Sequence, residues 1–139
     1  MSLDLGKKFL SQKNFKDAEK IFLDLNKNNN NFEINYNLAI INFELKNIKK
    51  SLKFFDKCKK IDPKSLNTYL KIAYLEQSTG DIEKSLSTYL KVLDINIRDI
   101  RAYYGIFTLK PNFLKTSHFE IIKQINDNPN ANILEKFLS

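Results

Sequence analysis

The sequence predicts an all-α fold, an α-solenoid of antiparallel helix pairs, from three observations. First, the chain repeats with a period of 34 residues. Phe32–Ser65 laid over Leu66–Asp99 brings Leu38-Ala39 onto Ile72-Ala73, Ser51 onto Ser85, Phe55 onto Tyr89, Cys58 onto Val92 and Pro63 onto Ile97. A period of this length is the mark of stacked helical hairpins. Second, Leu5-Gly6, Ala18, Phe22 and Leu25 fit the same pattern with a one-residue shift. Third, each unit carries a small residue, an aromatic four later and an apolar residue three beyond that, which is the spacing of one buried helix face. Such arrays usually bind other proteins and seldom do chemistry.

Eight or nine helices are expected. The first pair covers Leu3–Ser11 and Phe15–Asn26, and Asn28–Asn31 forms a polar low-complexity loop after it. The second pair covers Glu33–Leu45 and Ile48–Ile61, with Asn47 of Lys46-Asn47 capping its second helix. Asp62-Pro63 ends that pair, because proline cannot continue a helix. The third pair covers Leu66–Ser78 and Ile82–Ile95. Between them, Gly80 tolerates the left-handed conformation and Asp81 accepts from the first free N–H groups. A further helix over Asp99–Leu109 is unpaired or opens a fourth unit. Ser117-His118-Phe119-Glu120 has capping-box spacing, so a helix is expected over about His118–Ile125, with a last one over Ala131–Leu138. The domain plan is three units over 1–31, 32–65 and 66–99, then a partial fourth unit with capping helices over 100–139, in one continuous domain.

The buried faces follow from the spacing. In the second helix of the middle pair these are Leu52, Phe55 and Cys58/Lys59; in the third pair, Leu86, Tyr89 and Val92/Leu93. Ala18, Ser51 and Ser85 mark the tightest crossing of each pair, where a large residue would not fit.

At 139 residues and 42% hydrophobic content the chain can build one continuous core. No apolar run approaches the ~20 residues of a membrane span, and the N-terminus does not read as a secretory signal. A single cysteine, Cys58, forms no intramolecular disulfide. No membrane association and a cytoplasmic location are expected, on these missing features. The net charge is +7, nearly all lysine. By unit it runs about +2, +4, −1 and +2, so the second unit is the basic one. Lys, Asn, Ile and Phe are the residues of A/T-only codons, and an AT-rich genome would produce this bias without selection for charge.

Leu5-Gly6, Ala18 and Phe22; Leu38-Ala39, Ser51, Phe55 and Pro63; and Tyr69, Ile72-Ala73, Gly80, Ser85 and Tyr89 resemble the tetratricopeptide-repeat pattern. The resemblance covers residues 1–99 and extends weakly over 100–110. It departs at Ile97, where the family has proline, and at Glu76, where it has tyrosine. It implies a right-handed superhelix whose concave groove, lined by the first helix of each pair (the A-helix), holds a peptide or partner helix. The groove-facing positions it assigns are Leu3, Lys7 and Leu10; Glu33, Tyr36, Asn37, Ile40 and Phe43; Asn67, Leu70, Lys71, Tyr74 and Gln77; and Arg101, Tyr104 and Thr108. Tyr36, Ile40, Phe43, Leu70, Tyr74 and Tyr104 form an apolar, aromatic wall of the kind that marks contact surfaces. The binding set is therefore Lys7, Tyr36, Asn37, Ile40, Phe43, Leu70, Lys71, Tyr74, Arg101 and Tyr104. The competing arrangement fills the groove internally, with the apolar segment Ile133–Leu138 or a second copy of the chain as a homodimer.

One family subclass resembles a two-carboxylate clamp for acidic chaperone C-termini. Only Asn37 and Lys71 match its five positions; Leu3, Lys7 and Asn67 do not. Residues 98–139 are similar to the segment joining repeats to a catalytic domain in some bacterial tetratricopeptide sulfotransferases. The chain stops at Ser139, directly after Phe137-Leu138 and inside an amphipathic pattern. These helices are thus either the solenoid's own cap or the end of a front piece, and the alternative function is the recruiting region of a larger transferase. The nucleotide-sulfate loop of those enzymes is absent, so no activity is expected in this chain.

Lys46, Lys50, Lys53, Lys57, Lys60 and Lys64 form a lysine stripe. Spaced cations can neutralise phosphates, but no interleaved aromatics or arginine forks accompany them. The stripe reads first as a solvated convex face, and nucleic acid is the least expected partner. A nucleic-acid-associated repeat stands third among the functions. His118, the lone histidine, makes no zinc site with Cys58 and reads as surface-solvated; Cys58 reads as core. Gly6, Gly80 and Gly105 are too scattered to cradle phosphate. No nucleophile–base pair, metal site or cofactor site is evident. The expected function is a non-catalytic protein-interaction scaffold.

Overall fold

The computed structural model describes residues 2–127, and the chain divides between two compact units, Met1–Thr68 and Tyr69–Ser139. The first holds α1 (Leu3–Ser11), α2 (Phe15–Asn28), α3 (Phe32–Glu44), α4 (Ile48–Ile61) and the start of α5 (Leu66–Ser78). The second holds the rest of α5, α6 (Ile82–Ile95), α7 (Ile100–Leu109), a 3₁₀ turn Pro111–Phe113 and α8 (Thr116–Asn126). Among the described residues there is no strand. The expected helix over Ala131–Leu138 lies outside the described residues.

Three turns built alike make the hairpins. Lys13, Lys46 and Gly80 take positive φ (58°, 63° and 85°). Their N–H groups donate to Leu10, Phe43 and Gln77, and the next residue's N–H reaches Phe9, Asn42 and Glu76. This is a Schellman closure, which satisfies the last carbonyls of one helix while reversing the chain. The residue after the reversal then caps the next helix: Asn14, Asn47 and Asp81 accept from Asp17, Lys50 and Lys84 N–H. The Asn47 and Gly80-Asp81 expectations are met. The left-handed lysines were not foreseen, because only the third turn has the glycine that announces the conformation.

The crossing of each hairpin sits at its small residues. Ser51 Oγ donates to the Ala39 carbonyl and Ser85 Oγ to the Ala73 carbonyl, both at 2.7 Å and both in fully buried sites. The serines are thus fixed by a hydrogen bond between the two helices as well as by space. In the first pair Gly6 and Ala18 occupy the corresponding places. A Cβ on Gly6 would stand 3.0 Å from the Phe22 ring. Around these crossings pack Phe22, Leu38, Ile41, Phe55 and Cys58 in the first unit, and Ile72, Leu75, Tyr89, Val92, Tyr103 and Ile106 in the second.

The structure differs from the sequence reading in several places. In α4 the buried face runs through Ser51, Phe54, Phe55 and Cys58, leaving Leu52 and Lys59 half-buried. The Asn28–Asn31 run is less a loop than a joint: Asn28 ends α2, Asn31 caps α3 through Ile34 N–H, and Asn30 accepts from Asn35 at 2.6 Å. Asparagine suits this because its short amide bonds nearby backbone. Glu76 is buried and accepts from Thr88 Oγ1 at 2.5 Å, so α6 supplies the donor its carboxylate needs. The last described helix starts at Thr116, and its N-terminal bond runs from Lys115 N–H to His118 Nδ1 at 2.9 Å rather than through Ser117 and Glu120. His118 is therefore not a solvated surface group. It is half-buried, with its ring 6.1 Å from that of Tyr103.

Candidate functional site

In the first unit the assigned residues lie on α1 and α3. Lys7 Nζ stands 2.6 Å from Glu33 Oε1, a half-exposed ion pair joining the two A-helices. The hydrogen bond that Lys7 donates to Glu33 raises the Lys7 pKa, and the charge of Glu33 adds to the effect. A ligand carboxylate at Lys7 would have to compete with Glu33. Tyr36, Asn37, Ile40 and Phe43 are all half-buried. Tyr36 stacks on Phe32 (5.7 Å, 18°) and meets Phe55 edge-on (5.6 Å, 76°). It therefore belongs as much to the core as to a surface wall. Burial raises its phenol pKa, with Cys58 adding to the shift. Burial likewise pushes the Cys58 thiol up to about 12. A thiol held neutral is a poor nucleophile.

In the second unit Lys71 and Arg101 are exposed and Leu70 is half-buried. Tyr74 on α5 and Tyr104 on α7 are 54% and 52% exposed. Arg101 is less available than its exposure suggests. Its Nε and a terminal nitrogen donate to the Asp99 carboxylate at 3.1 and 2.7 Å, and that bonding raises its pKa. Asp99 is buried and caps α7 through Arg101 N–H. The sequence reading missed this partner, although an acid two residues before the arginine at a helix start was a visible signal.

Gly105 falls at the place of Asn37 and Lys71 in the repeat, and the structure shows why it is bare. A Cβ there would stand 2.3 Å from Tyr89 Cζ. The glycine lets the Tyr89 ring press against α7. Burial raises the Tyr89 pKa, with a further push from Tyr74, so the two phenols are electrostatic neighbours. Tyr89, read from sequence as core, is buried here with its ring against α7. Among the described residues no group of three His, Cys, Asp or Glu is placed to hold a metal ion. No described helix is long and apolar enough to cross a membrane.

The repeat is the deciding observation: residues 32–65 and 66–96 each match the tetratricopeptide repeat. Residues 32–96 are therefore tetratricopeptide repeats. No curated protein sequence matches it. Among solved structures it is similar to MamA (22% identity, TM-score 0.74, over 96% of this chain and 75% of that one). It is also similar to YrrB, described as a TPR protein with an unusual peptide-binding site (16%, TM-score 0.69, 93% and 68%). A third is the first TPR of Spaghetti (RPAP3) bound to the HSP90 peptide SRMEEVD (14%, TM-score 0.69, 78% and 87%). These likenesses establish the fold class, an all-α solenoid of helix pairs.

Proposed function

We propose that this tetratricopeptide-repeat chain is a protein-interaction module that holds a peptide or partner helix against its A-helix faces, without covalent chemistry. The observation that carries the reading is the exposure of Tyr74 and Tyr104, both more than half open on α5 and α7. Large amphipathic rings kept in water are the residue type that supplies binding energy when a partner covers them. Leu70 and Lys71 in the same unit would supply the surrounding apolar and polar contacts; in the first unit, taken by itself, Tyr36, Asn37, Ile40 and Phe43 on α3 are the half-buried candidates. Lys7 and Arg101 would engage a ligand only by sharing their carboxylates, so they would tune its charge rather than anchor it. Two similar proteins described with peptides or a peptide site support this reading. The unit limits 1–31, 32–65, 66–99 and 100–139, and a cytoplasmic location, belong to the same proposal.

The test is selection of displayed peptides on the folded chain, followed by calorimetry of the best binder. Tyr74→Ala with Tyr104→Ala should weaken binding about 30-fold, the scale of a ~2 kcal/mol hot spot, with unchanged helicity. Peptides that bind the double variant as tightly as the parent would refute the assignment.

A further inference from the structure

The net charge of this chain is concentrated in one place. Residues 1–68 hold fourteen lysines against eight carboxylates, a net of +6; residues 69–139 hold nine cations against eight carboxylates, a net of +1. Within the first unit, residues 46–64 hold eight lysines against Asp56 and Asp62, again +6. Codon bias would load both halves with unbalanced lysine, so it does not account for this asymmetry.

The structure arranges that charge in a row. At 100° per residue, Lys49, Lys53, Lys57 and Lys60 of α4 fall within about 80° of arc, with successive rises of roughly 4.5–6 Å. Lys49, Lys53 and Lys60 are exposed, as are Lys46 and Lys64 just beyond the helix ends. The nearby acids are spent elsewhere. Asp56, at the edge of the row, lies 3.5 Å from Lys59. Glu19 lies 3.6 Å from Lys50, and Asp62 accepts from Lys64 N–H. Lys57 rests over the Phe54 ring at 5.2 Å. Among the described residues no carboxylate forms an ion pair with Lys46, Lys49, Lys53, Lys60 or Lys64. Like charges at i, i+4 destabilise a helix, and a polyanion on the row would relieve that cost.

We infer that the lysine row of α4 is a docking surface for the phosphate backbone of a double-stranded nucleic acid, bound without regard to sequence. The row is lysine alone, and lysine binds phosphate as a point charge. Protein interfaces are depleted in lysine and anchored by aromatics and arginine, which this face lacks. Base reading needs arginine or asparagine forks and single strands need stacking platforms; neither is present, because Phe54 and Phe55 are buried. A linear array of charges also matches a linear polyanion better than a planar lipid surface. The row lies on α4, a B-helix, apart from the A-helix residues proposed for peptide binding, so the two readings stand or fall separately.

The experiment is fluorescence anisotropy of a labelled 20-base-pair random-sequence DNA duplex titrated with the chain across a salt series. Neutralising four phosphates gives a log–log salt slope of about −3.6, at about −0.9 each. Replacing Lys49, Lys53, Lys57 and Lys60 with Gln should bring the slope close to zero. Replacing Lys8, Lys16, Lys20 and Lys27 removes the same charge from α1 and α2 and should leave the slope near the parent value. Circular dichroism confirms that both sets remain folded. Three results would each overturn the inference: no duplex binding at low salt, equal weakening by the two lysine sets, or binding to phosphatidylserine vesicles but not to the duplex.

Discussion

Gly105→Ala sets two effects of opposite sign against each other. Gly105 lies in the middle of α7. By propensity alone, alanine there should stabilise the helix by about 1 kcal/mol. The new methyl would meet Tyr89 Cζ at 2.3 Å, Cε1 at 2.5 Å and Cε2 at 2.7 Å, against an ordinary carbon–carbon separation of about 3.5–4.0 Å. The ring or the helix must yield by more than an ångström, and both residues are buried. Overpacking on this scale costs about 1–3 kcal/mol or somewhat more. The expected net result is destabilisation by about 1–2 kcal/mol, read as a lower urea midpoint with unchanged slope. The conflicting atoms are the far end of the ring, so Tyr89→Leu removes all three. In that background Gly105→Ala should reverse sign and stabilise by about 0.5–1 kcal/mol, the propensity gain alone. A parent-background variant as stable as the parent, or no reversal in the Tyr89→Leu background, would refute the reasoning.

Two further outcomes follow from the same packing. Ser51→Leu should destabilise by about 1–3 kcal/mol, because the site is closed, while Ser51→Ala should lose only about 0.5–1.5 kcal/mol with the Ala39 hydrogen bond; thermal melting of the pair separates the contributions, and equal melting temperatures would contradict the crossing assigned here. Burial raises the Cys58 thiol from 9.0 to about 12 and shifts Tyr36, Tyr89 and Tyr103 upward too. The stability from holding these acids neutral is full below the unfolded values and is lost as pH rises through the folded ones. Helicity should therefore hold at pH 8 and fall progressively above about pH 9. At pH 8 Cys58 should resist alkylation in the folded chain and react when denatured; equal reactivity in both would contradict its burial.

The proposed interaction surface was legible only in part. Tyr74 and Tyr104 are exposed where the repeat assigns them. Tyr36 is shared with the core because Phe32 and Phe55 clasp it, and Lys7 and Arg101 carry carboxylate partners. A repeat pattern assigns a position to a helix face, but whether a side chain there is free depends on its neighbours in space. Those neighbours come from other helices, as Glu33 does for Lys7, or from a local cap, as Asp99 does for Arg101.

The sequence by itself determined the helix pairs, the capped turns at Asn47 and Asp81, and the small residues at each crossing. All of these are set by spacing within a few turns of chain, where periodicity and capping chemistry act directly. Only the tertiary structure decided that Ser51 and Ser85 bond across their hairpins, that Lys13 and Lys46 adopt the conformation of Gly80, and that Gly105 makes room for Tyr89. The serine bonds and the Gly105 contact depend on how closely two helices approach, which their mutual packing fixes. The lysines take positive φ because the Schellman closure of each hairpin turn requires it, whatever residue stands there.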